Sequence, residues 1–426
     1  MIGRIASLTA DQRRLALSIV FNVATRLPGI VGVLLFLPLI KLALGVQGFS
    51  IMMAALALGG SIGFFTGGFG VIGRRLIGEA HGANDFQAEA DAIRSLFDIA
   101  VMSFALMLAF VVGYGLISGA GRVFYIVPIF MSLVALLLQF DNIRASYNEQ
   151  YITAGALIAA QTVTYTVAFL MPPASFSPII GAFIIQVPQA AASIWTGVTL
   201  LMKRPYLLQG RSVVKGPIFY QGLLLGLGDG LMMASLGFAL VFLQATGRAS
   251  DAAWFAATTR VFMIVLAPML LLLLPISSYV RIMWRRASPE WQNRVIRLSF
   301  IGSLTYSVVV GFGLYLTSGL YVEGVLKILQ PRGMFITLPI FTMFSAILAF
   351  KSYTAISIVV LDSQRFSREI AVVIVLVLTV SGLASFVFNA INTVAIFSGL
   401  LSFAVIALIL YDVYRFKTHE LPVRLQ

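Results

Sequence analysis

The 426-residue chain contains no cysteine and only two histidines, His81 and His419. Without a thiol it has neither a disulfide nor a thiolate metal site. Two imidazoles this far apart in sequence give no basis for a histidine metal centre. Charge is also scarce, at 11% of residues against about 25% in soluble domains. Acids are scarcer than bases, 16 to 29, which leaves a net charge of +13. A basic surplus often marks a polyanion binder, but such proteins display their charge on a soluble face. Here 60% of residues are apolar, against about 45–50% in soluble domains, so little soluble face exists. Nucleic acid is therefore excluded as a partner, and the class is integral membrane protein.

A helix needs about 20 apolar residues to cross the hydrocarbon layer. Runs of that kind occupy 18–41, 48–73, 96–117, 123–140, 150–171, 178–202, 219–246, 252–280, 298–317, 334–360, 369–388 and 393–414. The expected fold is all-α, a polytopic membrane protein of twelve transmembrane helices joined by short polar links. Residues 1–14 are polar and precede a full-length span, so they read as part of the mature chain, not as a cleavable signal.

Cations set the orientation. With both termini in the cytoplasm, 21 of the 29 fall on inner segments and 5 on outer ones. The inner set includes Arg74, Arg75, Arg94, Arg144, Lys203, Arg204, Arg211, Arg285 and Arg286. The remaining three, Arg26, Arg260 and Lys351, lie inside spans.

The basic, Pro- and Gly-punctuated segment 203–217 follows span six and reads as a cytoplasmic linker between two six-helix halves, 1–202 and 218–426. Both halves start inside, so any repeat is parallel, about an axis along the membrane normal. A weak echo fits this: Gly45, Gly48 and Phe49 open span two, while Gly247, Trp254 and Phe255 open span eight. Glycines recur at four-residue spacing at Gly59, Gly63 and Gly67 and at Gly222, Gly226 and Gly230, a pattern that brings helix backbones close. In the link after span two, Asn84 or Asp85 is expected to cap a short surface helix bearing Phe86, Ala90 and Ile93 on one face. Glu79, Asp85, Glu89 and Asp91 there read as solvated loop charge.

Ionisable groups within spans cost at least about 2.5–3.5 kcal/mol at a helix centre, so each should face a cavity or a partner. Arg26 lies deep in span one with Asn22 one turn before it. Asp229 lies near the middle of span seven, Arg260 in span eight, and Lys351 near the inner end of span ten. Lys351 can alternatively snorkel to the inner headgroups, and Asp229 can serve only to neutralise Arg26. Three cations against one acid leave an interior that attracts anions, and arginine forks suit phosphate oxygens. Gln161 and Tyr165 share a face of span five. They suit a sugar, and serve helix–helix hydrogen bonding equally well.

Leu44-Gly45 followed by Gly48-Phe49, the glycine-rich span two closing on Arg74, and Gly78-Glu79-Ala80 together resemble one family. So do Ala267-Pro268 and Pro275-Ile276-Ser277 before a basic inner loop. That family is the polysaccharide-transporter branch of the multidrug/oligosaccharidyl-lipid/polysaccharide exporter superfamily. The motif match covers about residues 15–100 and 215–285. Lys41 before Leu44-Gly45, and the lack of an acid in Thr66-Gly67-Gly68-Phe69-Gly70, depart from the family pattern. The resemblance implies a flippase that moves polyprenyl-diphosphate-linked oligosaccharide from the inner to the outer leaflet of the bacterial cytoplasmic membrane. It is not an enzyme and uses no cofactor. Arg26 and Arg260 would hold the diphosphate in a central cavity, with Asn22, Lys351, Gln161 and Tyr165 lining it. Asp229 would be the coupling or charge partner for a proton or cation. Other partners would be membrane lipids and polysaccharide assembly proteins. Two alternatives stand beside this: a multidrug/toxin cation exporter of the same superfamily, which usually carries an acid in span one, and a membrane-embedded glycan ligase or polymerase. The second would need carboxylates at the outer face, where only Asp251 and Glu323 occur.

Overall fold

The computed structural model describes residues 27–118, 121–147, 149–212, 232, 234–237, 239–284, 288–331, 333–357 and 363–418. Among these, every regular element is a helix. The helices are α1 Leu27–Gly82, α2 Phe86–Ser118, α3 Val123–Leu137, α4 Gln139–Ser146, α5 Gln150–Leu170, α6 Pro178–Lys203, α7 Ala249–Trp284, α8 Pro289–Thr317, α9 Met334–Ser357, α10 Ser363–Ala384 and α11 Ala390–Thr418. Short 3₁₀ turns at Pro173–Ser175 and Pro205–Gln209 follow α5 and α6, and a π-helical stretch, Ser318–Val325, extends α8. Eight helices among the described residues are long and apolar enough to cross a membrane. Span seven lies mostly outside the described residues, and so does the start of span one.

α1 contains 56 residues. At 1.5 Å per residue it would reach about 84 Å, well beyond a bilayer. It is broken at Gly45, whose φ of 65° and ψ of −179° are non-helical and belong almost exclusively to glycine. A Cβ placed there would meet nothing within 4 Å, so backbone conformation, not space, demands the glycine. Gly247, with φ 75°, ends the helical segment before α7. Its N–H and that of Arg248 donate back to the carbonyls of Gln244 and Leu243, which closes the helix end. Gly45 and Gly247, the glycines paired in the sequence echo, thus both have positive φ.

α2 starts where expected but is not a short surface helix. Asp85 accepts from the Ala88 N–H at 2.9 Å, and the helix then continues for 33 residues through span three. α3 and α4 are joined through Leu138, itself helical, so Val123–Arg144 forms one 22-residue apolar helix.

The described residues fall into two compact units. One runs up to Ala257 and includes Val325–Ile328, and the other comprises Thr258–Gly324 and the residues from Leu329 onward. The division falls inside α7, whereas the sequence expectation places the two halves on either side of residues 203–217. In the first unit α1 packs on α2, α3, α5 and α6. The approach to α3 is close because Gly59 has no side chain: a Cβ there would lie 2.7 Å from Met131 Cβ and 3.0 Å from the Pro128 backbone. Gly59 thus brings two helix backbones close, as expected of its four-residue glycine spacing. In the second unit α9 packs on α8 and α11, and α10 packs on α11. Residues 346–354 of α9 are buried around the whole helix, as expected of a helix that is apolar on every side.

Gly45→Ala is expected to destabilise the protein by roughly 1–3 kcal/mol through backbone strain alone. Gly247→Asn, at a helix end that tolerates asparagine, should cost less than about 1 kcal/mol. Thermal unfolding of both purified variants in one detergent measures the difference, and equal melting temperatures would refute the assignment of strain to Gly45.

Candidate functional site

Of the seven sequence-selected residues, Asn22, Arg26 and Asp229 lie outside the described residues. The other four are placed. In the second unit, Arg260 is half-buried on α7 and Lys351 is 6% exposed on α9. Lys351 lies within the enclosed part of α9, flanked by buried Phe350, Ser352, Tyr353 and Thr354, so it does not lie on the unit's surface. In the first unit, Gln161 and Tyr165 share a face of α5 with Thr153 and Leu157, each four residues from the next. The Gln161 Oε1 and Thr153 Oγ1 atoms are buried and have no hydrogen-bond partner among the described residues. Tyr165 packs into the α1 interface. Its ring centroid is 5.9 Å from that of Phe36, and a Cβ on Gly32 would lie 2.5 Å from its Cδ2.

Three further polar sites appear. The first corrects the expectation for the link after span two: Glu89 is fully buried. One of its oxygens accepts from both the Tyr147 hydroxyl and, at 2.9 Å, the Tyr206 hydroxyl. The other lies 3.2 Å from His81 Nδ1, and the His81 side chain is 46% exposed. Burial and the hydrogen bond to Glu89 push the Tyr206 phenol up to about 12 and raise that of Tyr147 further, because ionising either would place a second anion beside the carboxylate. Asp91 remains at the surface and accepts from Gln87.

The second site is built on Arg144, counted above among the inner cations. It is fully buried at the end of α4. Its guanidinium pairs with Glu149 and donates to the Thr199 hydroxyl at 2.7 Å and the Thr196 carbonyl at 3.1 Å, which ties α4 to α6. Glu149 also takes Arg204 at 3.0 Å, and Arg204 in turn stacks 3.7 Å above the Tyr147 ring. One turn before Arg144, Asp141 accepts from Gln189, Ser193 and Thr196 of α6. The third site lies in the second unit. Tyr353 on α9 donates to Asp412 on α11 at 2.7 Å, and both side chains are buried.

These groups can hold charge inside a membrane protein and offer hydrogen bonds from fixed positions. No group of three or more His, Cys, Asp or Glu side chains that could hold a metal occurs among the described residues.

No protein-family profile and no curated protein matches the chain. Solved structures do. The chain is similar to an inward-facing multidrug resistance MATE family transporter of the MOP superfamily, with TM-score 0.61 and 14% identity over 90% of this chain and 96% of that one. It is also similar to the MATE multidrug transporter DinF-BH, solved as a complex, with TM-score 0.57 and 14% identity over 93% and 95%. An outward-facing MATE family transporter matches with TM-score 0.51 and 14% identity over 96% and 99%. The all-helical fold is therefore of the MATE type.

Glu149→Gln removes the charge opposite buried Arg144 and should cost about 2–3 kcal/mol. Asp251→Asn, which breaks the exposed Arg248–Asp251 pair, should cost less than about 1 kcal/mol. Denaturant titration in mixed micelles compares the two variants, and an equal loss would show that Arg144 is not held by this ion pair.

Proposed function

We propose that the protein is a membrane transporter working by alternating access, and that its cargo is a lipid-linked oligosaccharide bearing a diphosphate. The general reading is supported by a MATE-type fold whose structural neighbours are solved both inward- and outward-facing. The cargo reading rests chiefly on one observation, the burial of Lys351. An ammonium group in an apolar span would normally turn toward the headgroups, so enclosure within the second unit favours an internal use for its charge. Arg260, half-buried on α7 in the same unit, adds a second cation. Arg26 and Asn22 of span one, outside the described residues, are the further candidates for the anion. Gln161, with its unpartnered oxygen, supplies neutral hydrogen bonding for the sugar, and Tyr165 stands one turn beyond it. Asp229 is the coupling or charge partner. In this reading the protein resides in the bacterial cytoplasmic membrane with twelve spans, two six-helix halves and both termini inside. It works beside the proteins that assemble the polysaccharide and forms no covalent product of its own.

A second reading is an exporter of organic cations. It is favoured by the names of the structural neighbours, which are multidrug transporters. The acidic groups buried among the described residues argue less for it, because Glu89 and Asp412 already accept from tyrosine hydroxyls.

In reconstituted vesicles, Arg26→Ala, Arg260→Ala and Lys351→Ala should each reduce flipping of a polyprenyl-diphosphate-linked sugar by about tenfold or more, the equivalent of one lost charged hydrogen bond. Wild-type rates in folded variants would remove the site assignment. Export of a cationic dye without sugar flipping would establish the second reading. The topology is tested separately. The chain has no cysteine, so Ser250→Cys should react with an impermeant maleimide from outside the cell, and Ala287→Cys only after the membrane is opened. Reaction of both in intact cells would refute the orientation.

A further inference from the structure

The first segment after α6 does not behave as a free connector. Over eight residues it is fastened to the first unit by six contacts at five residues. Arg204 pairs with Glu149 and stacks on Tyr147. Tyr206 donates to buried Glu89. Leu207 is 4% exposed and joins the apolar cluster of Ile77, Ile93, Leu96, Ile143 and Leu200. Gly210 passes so close to α2 that a Cβ would overlap the Ala90 carbonyl. The Arg211 N–H donates to Asp91 at 2.6 Å.

Glu89 is the point where these contacts converge with the rest of the unit. It stands in the first turn of α2, and its carboxylate receives the end of α1 through His81, the end of α4 through Tyr147 and the segment after α6 through Tyr206. A single buried carboxylate thus joins its own segment to three others, through residues 8, 58 and 117 positions away in sequence. A buried charge with several donors is costly to leave unsatisfied, so removing one partner weakens the hold of the others.

We infer that residues 204–211 are a docked strap, not part of the free linker, and that Glu89 is the bolt that locks the strap and the ends of α1, α2, α4 and α6 into one rigid block. The strap belongs to the first unit and travels with it. The expected linker 203–217 is therefore divided, with its first half structural.

Amide hydrogen exchange of the full-length protein in lipid nanodiscs tests this. Wild-type residues 204–211 should exchange slowly. Tyr206→Phe, which deletes one hydroxyl, should speed exchange there about tenfold and leave 150–170 unchanged. Gly210→Ala should do the same, because the strap must lift off α2 to make room for the methyl group. Glu89→Leu should speed exchange at 77–92, 139–149 and 204–211 together, since all three share the bolt. If Glu89→Leu fails to fold, the two strap variants decide the matter. Wild-type exchange at 204–211 in both Tyr206→Phe and Gly210→Ala, or fast exchange there in the unmodified protein, would overturn the strap. An effect of Glu89→Leu confined to 86–92 would overturn the bolt.

Discussion

In hydrocarbon a charged side chain cannot be left to the solvent, and this constraint organises the molecule more than any helix preference does. In so apolar a chain, several of the ionisable groups among the described residues are enclosed by protein and given partners. Arg144 meets Glu149 and two α6 oxygens, Glu89 meets three donors, and Asp412 meets Tyr353. Each arrangement fixes which helices must be neighbours, a specificity that apolar packing against lipid-like side chains cannot supply. Close approach at glycines, as at Gly59, then sets how near those neighbours come.

The two units use this chemistry differently. In the first, buried charge is gathered at the ends of α4 and α6 and the start of α2, where apolar runs give way to polar links. In the second it lies on α9 and α11, with Lys351 and Tyr353 on the part of α9 that is enclosed on every side.

Much of the fold was legible in the sequence, because apolar run length and the short polar links between runs are local properties. The break near Gly45 was legible too: the apolar runs stop at 41 and resume at 48, and the positive φ of Gly45 gives the reason. What escaped was whatever depended on convergence. Gln139–Ser146, a polar octet, reads as the end of a span and the start of a loop, yet it continues the helix and buries Arg144. Glu89 looked like one of several loop acids, because its partners Tyr147 and Tyr206 are 58 and 117 residues away. One signal was present: Tyr147 follows span four with Arg144 and Glu149 close by in sequence, and Tyr206 follows span six two residues after Arg204. For the candidate site, Lys351 was read as either snorkelling or internal, and its burial favours the internal position. Gln161 and Tyr165 were rightly placed on one face, but which of them serves packing is a tertiary matter, decided by Gly32 and Phe36.

Arg204 stands at the junction of two networks, pairing with Glu149 on one side and covering the Tyr147 ring on the other. It therefore makes a continuous polar chain from the half-exposed imidazole of His81, through Glu89, Tyr147, Arg204 and Glu149, to the fully buried Arg144. In such a chain the groups polarise one another, and their energies do not add. The losses from single substitutions along it will sum to more than the chain contributes as a whole. In a comparison of related sequences, these six positions should therefore change together or not at all.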